Sequence, residues 1–176
     1  MSPLQILFED LRSQREGLLS QGFWALLVYR FGHARYRIPS KWVRLPWTVI
    51  YLLLNKFVGE MVCGICLPAY ASVGRRVVIE HFGAIVVHGN ATIGDDCVIR
   101  QGVTIGNRRL DQPEDAPILG NRVDVGAGAK ILGRVVIGDD ASIGANAVVL
   151  HDVPARHIAV GVPARIFPKR PSRDPS

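Results

Sequence analysis

Aliphatic residues in the second half of the chain recur at six-residue intervals. This period matches neither the 3.6-residue repeat of a helix nor the two-residue alternation of a strand. It predicts a chain that coils around a prism, with aliphatic side chains along the axis, and hence a parallel β-helix. The predicted axial residues are Leu67, Val73, Ile79, Ile85, Ile93, Ile99, Ile105, Leu119, Val125, Ile131, Ile137, Ile143 and Val149.

A second set of small or β-branched residues lies four places after the axial positions. We expect these side chains to pack inside the coil beside the axial ones, while a glycine that often follows the axial residue permits the turn. The predicted small positions are Ala71, Val77, Gly83, Cys97, Val103, Val123, Ala129, Val135, Ala141, Ala147 and Val153.

Two longer steps interrupt the repeat, one of eight residues from 85 to 93 and one of fourteen from 105 to 119. An insertion in a coil of this kind loops out from one face without breaking the stack, and such loops often build binding sites. Residues 107–117 are polar and contain proline, as such a loop should be. The alternative is that residues 107–117 form a surface loop without a binding function.

In the first sixty residues, the apolar positions instead recur at the spacing of a helix. Ser2-Pro3 reads as an N-cap followed by proline at the first helical position, and this helix should extend to about Gly17. Further helices are predicted over 22–36 and 41–61, with a bend at Pro46. Because the open end of a coil needs covering, we expect a helical cap.

These patterns divide the chain into three parts. We predict an N-terminal helical region over 1–62, a β-helix domain over 63–166 and a flexible C-terminal tail over 167–176.

The chain has 176 residues, of which 48% are hydrophobic and 20% charged, as in globular proteins. The net charge of +6 favours anionic partners such as phosphates, nucleotides or lipid head groups. The longest uncharged apolar run, 45–54, is half the roughly 20 residues that a bilayer crossing needs. No signal peptide is evident, and three cysteines suit a reducing compartment.

Aromatic and basic residues are mixed in the third predicted helix, where Trp42, Trp47 and Tyr51 lie among Lys41 and Arg44. This mixture is compatible with peripheral contact to an anionic membrane surface. Packing in the core or against another subunit is the alternative.

Among the histidines, His81 is the candidate for catalysis. It lies two places after Ile79, off the axial positions, so its imidazole should face the outer surface or a groove between subunits. An imidazole there can accept a proton from an attacking hydroxyl group. From the residues alone, a structural histidine is the alternative.

The residues give little support to a zinc site, a reactive cysteine or a nucleotide-binding site. The CxxC of Cys63 and Cys66 has no second pair to complete a zinc site, and Cys97 has no basic neighbour to activate it. No phosphate-binding glycine motif precedes a helix, and no nucleic-acid partner is expected.

Four segments of the chain carry a family pattern: ASVGRRVVIEHFGAIVV, DDCVIRQGVTIGNR, VGAGAKILGRVVIGDDASIGANAVVLHDVP and AVGVPARIF. They resemble the hexapeptide-repeat acyltransferases, and specifically the serine acetyltransferase family. Within that family the sequence is most similar to the branch that acetylates exopolysaccharides, of the colanic acid acetyltransferase kind. The resemblance implies a left-handed parallel β-helix, acetyl-CoA as co-substrate, no metal, and a homotrimer with active sites between subunits.

The resemblance also assigns roles to residues. The family's catalytic histidine falls on His81, with Glu80 as the neighbouring carboxylate. Arg100 and Arg108 are not part of this family pattern; they are our own candidates for binding the acceptor, especially one that carries a phosphate or pyrophosphate lipid. The positions that would contact acetyl-CoA are Gly106, Asn107, Ala127, Gly128, Ala145, Arg165 and Lys169.

Two departures from the family pattern bear on the substrate. The aspartate that partners the catalytic histidine falls on Ile65, and the Arg-His pair that holds the amino acid's carboxylate falls on Asp115 and Ala116. An aspartate would repel a carboxylate, whereas arginine binds one in bidentate fashion. We therefore expect acetyl transfer to a sugar hydroxyl in polysaccharide assembly, with serine acetylation as the alternative. The expected location is the cytoplasm or the inner face of its membrane.

Overall fold

The computed structural model describes residues 3–169, in which an N-terminal group of helices precedes a parallel β-helix. The α-helices are α1 (Pro3–Ser13), α2 (Gln21–Ala34) and α3 (Lys41–Leu54). Short 3₁₀ turns cover Gly17–Leu19 and Arg35–Arg37, and a π-helical segment, Asn55–Val62, continues α3.

The predicted helices are present, with small differences at their ends. α1 stops at Ser13, before the predicted Gly17, and the predicted cap Ser2 lies outside the described residues. Ser20 caps α2, since its Oγ accepts a hydrogen bond from the backbone N–H of Phe23. α3 contains Pro46 and continues through the π-helical segment. No helix within residues 3–169 is long and apolar enough to span a bilayer.

Short strands form the three faces of the coil. Face 1 holds β1 (Ile65–Cys66), β4 (Ile85–Val87), β7 (Thr104–Gly106), β10 (Lys130–Leu132) and β13 (Val148–Val149). Face 2 holds β2 (Ser72–Val73), β5 (Thr92–Ile93), β8 (Ile118–Leu119) and β11 (Val136–Ile137). Face 3 holds β3 (Val78–Glu80), β6 (Val98–Arg100), β9 (Asp124–Val125), β12 (Ser142–Ile143), β14 (His157–Val160) and β15 (Arg165–Pro168).

The fold-class prediction is confirmed, because strands of successive coils from β1 to β14 pair in parallel and all thirteen predicted axial residues are buried. A regular coil has 18 residues, as the pairing of Ile131 with Val149 illustrates. This length corresponds to three six-residue sides.

The position of the first insertion differs from the prediction. Ile85 pairs with Ile65, whereas Val87 pairs with the axial residue Ile105. Val87 is therefore the axial residue of β4, and Ile85 occupies the small position that the repeat predicts for Gly83. The eight-residue step runs from Ile79 to Val87, so the two extra residues belong to the corner that carries His81. Both Ile85 and Val87 are buried.

The helices cover the first coil. Leu26 and Tyr29 of α2 are fully buried in the same apolar cluster as the axial residues. The hydroxyl of Tyr29 donates to the carbonyl oxygen of Ala71 at 2.8 Å and accepts from the N–H of Val73 at 3.1 Å. The predicted helical cap is thus present, and it is joined to the coil by polar contacts as well as by apolar packing.

The last strand closes the opposite end. β15 pairs antiparallel with β14 after a turn that contains a cis Val162–Pro163 peptide bond. The strand extends to Pro168, and the N–H of Lys169 donates to Arg156 O at 2.9 Å. Residues 167–169 therefore do not belong to a flexible tail, and the remainder of the predicted tail lies outside the described residues.

Candidate active site

His81 lies in the corner that leads from face 3 to face 1 and has a left-handed backbone, with φ of 61°. Gly83 and Ala84 also have positive φ, of 99° and 54°. The two extra residues of this coil make the corner protrude, and the side chains of His81 and Phe82 are exposed. Six other non-glycine residues at corners of the coil share positive φ, so this conformation belongs to the corners in general and does not by itself mark His81 as functional.

A cleft of about 230 Å³ lies beside His81, between the coil and the helices. Its walls come from β3 and the His81 corner on one side and from the α1–α2 connection on the other. The residues that line it are Gln14, Arg15, Glu16, Ser20, Gln21, Gly22, Val78, Ile79, Glu80, His81 and Phe82.

Two residues that sequence reasoning did not single out build the helical wall. The side-chain amide of Gln14 donates to Val77 O at 2.9 Å and accepts from the N–H of Ile79 at 3.2 Å, as a neighbouring strand would along this edge of face 3. A Cβ at Gly22 would lie 2.6 Å from Ile79 O, so glycine is needed for α2 to approach β3. Only the tertiary structure reveals these contacts, because the partners are more than 50 residues apart.

Glu80 is held by two arginines. Its Oε1 lies 3.1 Å from Arg15 Nε, and its Oε2 lies 3.0 Å from Arg100 Nε. Within residues 3–169, the imidazole of His81 has no hydrogen-bond or ion-pair partner. The structure therefore does not place Glu80 as the group that orients His81.

Arg100 is engaged within the coil and is not free to bind an acceptor. Besides Glu80, its guanidinium donates to the carboxylate of Asp124. The hydrogen bond that Arg100 donates to Asp124 raises the pKa of Arg100 above its usual value, against the opposing effect of desolvation. Of the two arginines predicted to bind the acceptor, Arg108 is the one without such partners in the described chain.

A second cleft of about 600 Å³ lies under the 107–117 loop. Arg108 and Arg134 line it and make no ion pair within the described chain, whereas Arg109 pairs with Asp111 at 2.8 Å. Asp115 also lines this cleft. The second insertion therefore does form a concave, mainly basic surface.

The predicted acetyl-CoA residues fall on two different edges of the prism. Ala127, Gly128 and Ala145 follow the His81 edge, the corners between faces 3 and 1; there Gly102 N donates to Gly83 O at 3.0 Å and Asn146 N to Ala127 O at 2.8 Å. Gly106 and Asn107 lie across face 1, at the base of the 107–117 loop.

Face 1 separates the two groups within one chain. Gly102 stacks on the His81 corner, and Gly106 lies four residues farther along the coil, about 13 Å at roughly 3.3 Å per residue. One acetyl group cannot contact His81 and Asn107 of the same chain.

The terminal basic residues occupy the end of face 3. Arg165 is exposed on β15. Lys169 is partly engaged, because its Nζ donates to Ser142 Oγ at 2.8 Å. In the part of the chain that the structure describes, no group of three or more His, Cys, Asp or Glu side chains could hold a metal ion.

The sequence matches known transferases along most of its length. A family model for bacterial transferase hexapeptide repeats matches residues 116–151. The chain is 39% identical over 152 residues to "Serine acetyltransferase" of Helicobacter pylori strain J99, a match that covers 86% of this chain and 84% of the relative. The chain belongs to the serine acetyltransferase family of hexapeptide-repeat proteins.

Two further family members also match this chain, one over most of its length and one in its fold. "Putative colanic acid biosynthesis acetyltransferase WcaB" of Escherichia coli K12 is 37% identical, with 91% of this chain and 98% of that protein covered. "Soybean Serine Acetyltransferase Apoenzyme" has a TM-score of 0.82 at 31% identity, covering 94% of this chain and 69% of that one. The chain is therefore an acetyl-CoA-dependent O-acetyltransferase.

Proposed function

We propose that this family member transfers acetyl from acetyl-CoA to a sugar hydroxyl during assembly of a surface polysaccharide. The observation that carries this proposal is the lining of the second cleft, where Asp115 stands at a position that resembles the carboxylate-binding arginine of serine acetyltransferases. An aspartate there disfavours an amino acid's carboxylate and accepts hydrogen bonds from sugar hydroxyls. The likeness to the WcaB protein over 98% of its length supports the same choice.

His81 is the general base in the proposed mechanism. Its imidazole removes the proton of the acceptor hydroxyl while that oxygen attacks the thioester carbonyl, and the proton then passes to the departing coenzyme A sulfur. Backbone N–H groups near Gly106 and Asn107 stabilise the oxyanion, a role worth about 3 kcal/mol per donor in other enzymes.

The homotrimer is part of the proposal. His81 and Asn107 lie on different edges of face 1 in one chain, so a site that uses both forms between copies. The imidazole of His81, which has no partner within residues 3–169, fits this arrangement, since a neighbouring subunit would supply the group that orients it. Sedimentation velocity of the full chain should give the mass of three copies.

The alternative is serine O-acetylation, which the 39% identity to the Helicobacter pylori protein favours. A thiol-release assay of the full chain with acetyl-CoA distinguishes the two functions. L-serine is compared with free hexoses, nucleotide sugars and oligosaccharides at equal concentration. We expect turnover with a sugar acceptor at least tenfold above that with serine; a higher rate with serine would overturn the sugar assignment.

A variant with a matched control tests whether Asp115 discriminates between serine and a sugar acceptor. Asp115→Arg restores the charge expected at an amino-acid carboxylate site, and Glu114→Arg introduces the same charge change at an exposed position of the same loop outside the cleft lining. We expect Asp115→Arg alone to raise turnover with serine relative to the sugar acceptor. Equal effects of the two variants would contradict the assigned role of Asp115.

A further inference from the structure

One side of α3 packs on α2, and this contact determines which side faces outward. The indole N–H of Trp47 donates to Phe31 O at 2.9 Å, and the two rings stack with centroids 4.5 Å apart. Tyr51 is buried, and its hydroxyl accepts from the N–H of Ala69 at 2.9 Å. The opposite side of α3 therefore points away from the rest of the chain.

That opposite side is apolar along its whole length. Between Arg44 and Lys56 the helix carries no charged residue. At 1.5 Å per residue, the outward side chains extend over about 22 Å. These residues, here called the α3 outer face, are each at least half exposed and comprise Trp42, Leu45, Val49, Leu52, Leu53 and Phe57.

The unpaired charge around the α3 outer face is positive. The segment 17–59 contains no Asp or Glu, and its six basic residues are Arg30, Arg35, Arg37, Lys41, Arg44 and Lys56. Arg30 pairs with Asp10, and Lys56 pairs at 2.7 Å with Glu60, the acidic residue that directly follows the segment. Arg37 and Lys41 are exposed and have no ion-pair partner within residues 3–169. Lys41 directly precedes Trp42, which is 87% exposed at the start of the helix, and Arg37 ends the 3₁₀ turn that comes before the helix.

We propose that the α3 outer face, together with Arg37 and Lys41, binds an anionic lipid membrane as a peripheral contact. Apolar side chains and an interfacial tryptophan bury in the boundary between head groups and acyl chains, while neighbouring basic residues contact lipid phosphates. The length of the face suits a helix that lies in the membrane surface. No helix of the described chain could cross the bilayer.

Charge favours lipid over a second copy of the same face. A copy-to-copy contact would bring two sets of Arg37 and Lys41 toward one apolar interface, and the nearby acidic residue Glu60 is already paired with Lys56 of its own chain. Like charges at an interface without acidic partners oppose association. An anionic lipid surface supplies the missing negative charge.

Vesicle co-sedimentation of the full chain tests this proposal. The vesicles contain phosphatidylcholine alone or phosphatidylcholine with phosphatidylglycerol. We expect binding to the anionic vesicles at least tenfold stronger than to the neutral ones, and weakened at about 1 M salt, where the Debye length is about 3 Å. Equal binding to both vesicles, or none, would overturn the proposal.

Three variants identify the surface. Val49→Glu with Leu53→Glu charges the α3 outer face, and Arg37→Glu with Lys41→Glu reverses its basic rim; each pair should weaken binding at least tenfold. Leu110→Glu, at a 95% exposed position of the 107–117 loop, is the matched control and should bind as the unaltered chain does.

Circular dichroism and sedimentation velocity accompany each variant. Unchanged secondary structure and unchanged mass support the lipid contact. If Val49→Glu with Leu53→Glu instead reduces the assembled mass, the face joins copies of the chain, and the membrane proposal is wrong. These outcomes do not depend on the acceptor of the acetyl group. A failure of the membrane proposal would therefore leave the proposed function unaffected.

Discussion

Arg100 Nε lies 3.0 Å from Glu80 Oε2, and the two residues are direct partners in the pairing of β3 with β6. The same guanidinium reaches Asp124 on the next coil. Glu80, Arg100 and Asp124 thus form a row of alternating charges along face 3. Because His81 directly follows Glu80, this row anchors the strand from which the candidate base projects.

Glu80 should act as a positioning residue and not in proton transfer. Glu80→Gln keeps the shape of the side chain and removes its charge, and we expect kcat to fall less than about tenfold with an unchanged pH–rate profile. Arg15→Gln removes the exposed partner and should change kcat less than Glu80→Gln does, because exposed ion pairs contribute little. A loss above a hundredfold with a shifted pH profile would instead make Glu80 a proton carrier.

His81 should be required for turnover but not for folding. His81→Asn suits the positive φ of this position, since asparagine tolerates the left-handed region better than alanine does. We expect at least about a hundredfold loss of kcat, with the KM for acetyl-CoA and the unfolding midpoint nearly unchanged. His88→Asn is the matched control and should retain activity. Near-normal turnover of His81→Asn would remove the assignment.

Asp10 should stabilise the junction between helices and coil. Its carboxylate is buried and pairs with Arg30 at 2.9 Å, and Arg30 also donates to Val73 O at 2.8 Å. Asp10→Ala leaves a largely buried guanidinium uncompensated and should lower the free energy of unfolding by about 3 kcal/mol.

Glu9→Ala provides the control for Asp10 in urea unfolding. Glu9 pairs with Arg75 at the surface, where the hydrogen bond from Arg75 lowers the pKa of the Glu9 carboxyl. Its removal should affect stability far less than that of Asp10. Similar decreases in the free energy of unfolding for the two variants would show that burial does not make the Asp10–Arg30 pair more important for stability than the surface pair.

Cys97 should be inert as a nucleophile. Burial raises the pKa of its thiol to about 11, and Sγ lies 3.1 Å from Gly120 O. The thiol is therefore protonated near neutral pH, and the alkylation rate should rise with pH toward 11. Mass spectrometry after iodoacetamide treatment should find Cys97 unmodified in the folded protein at pH 8 and modified in urea. Rapid labelling of the folded protein would contradict this prediction.

The candidate site was predictable in part. The residues that resemble the family motifs include His81, and the structure places it in an exposed corner beside a cleft. The engagement of Arg100 by Glu80 was not predictable, because it depends on which residues face each other on successive coils. The contribution of Gln14 and Gly22 was missed for the same reason, since their contacts join distant parts of the chain.

The sequence alone determined the coiled architecture, because only a six-residue prism side buries one aliphatic residue in every six along a common axis. It also determined the approximate extent of the helices, through the spacing of apolar residues and the positions of glycine and proline. The tertiary structure decided the register around His81, since Ile85 and Val87 are both apolar and only strand pairing shows that Val87 aligns with Ile105. It likewise decided which side of α3 is left uncovered, because that depends on the docking of Trp47 and Tyr51 onto other elements.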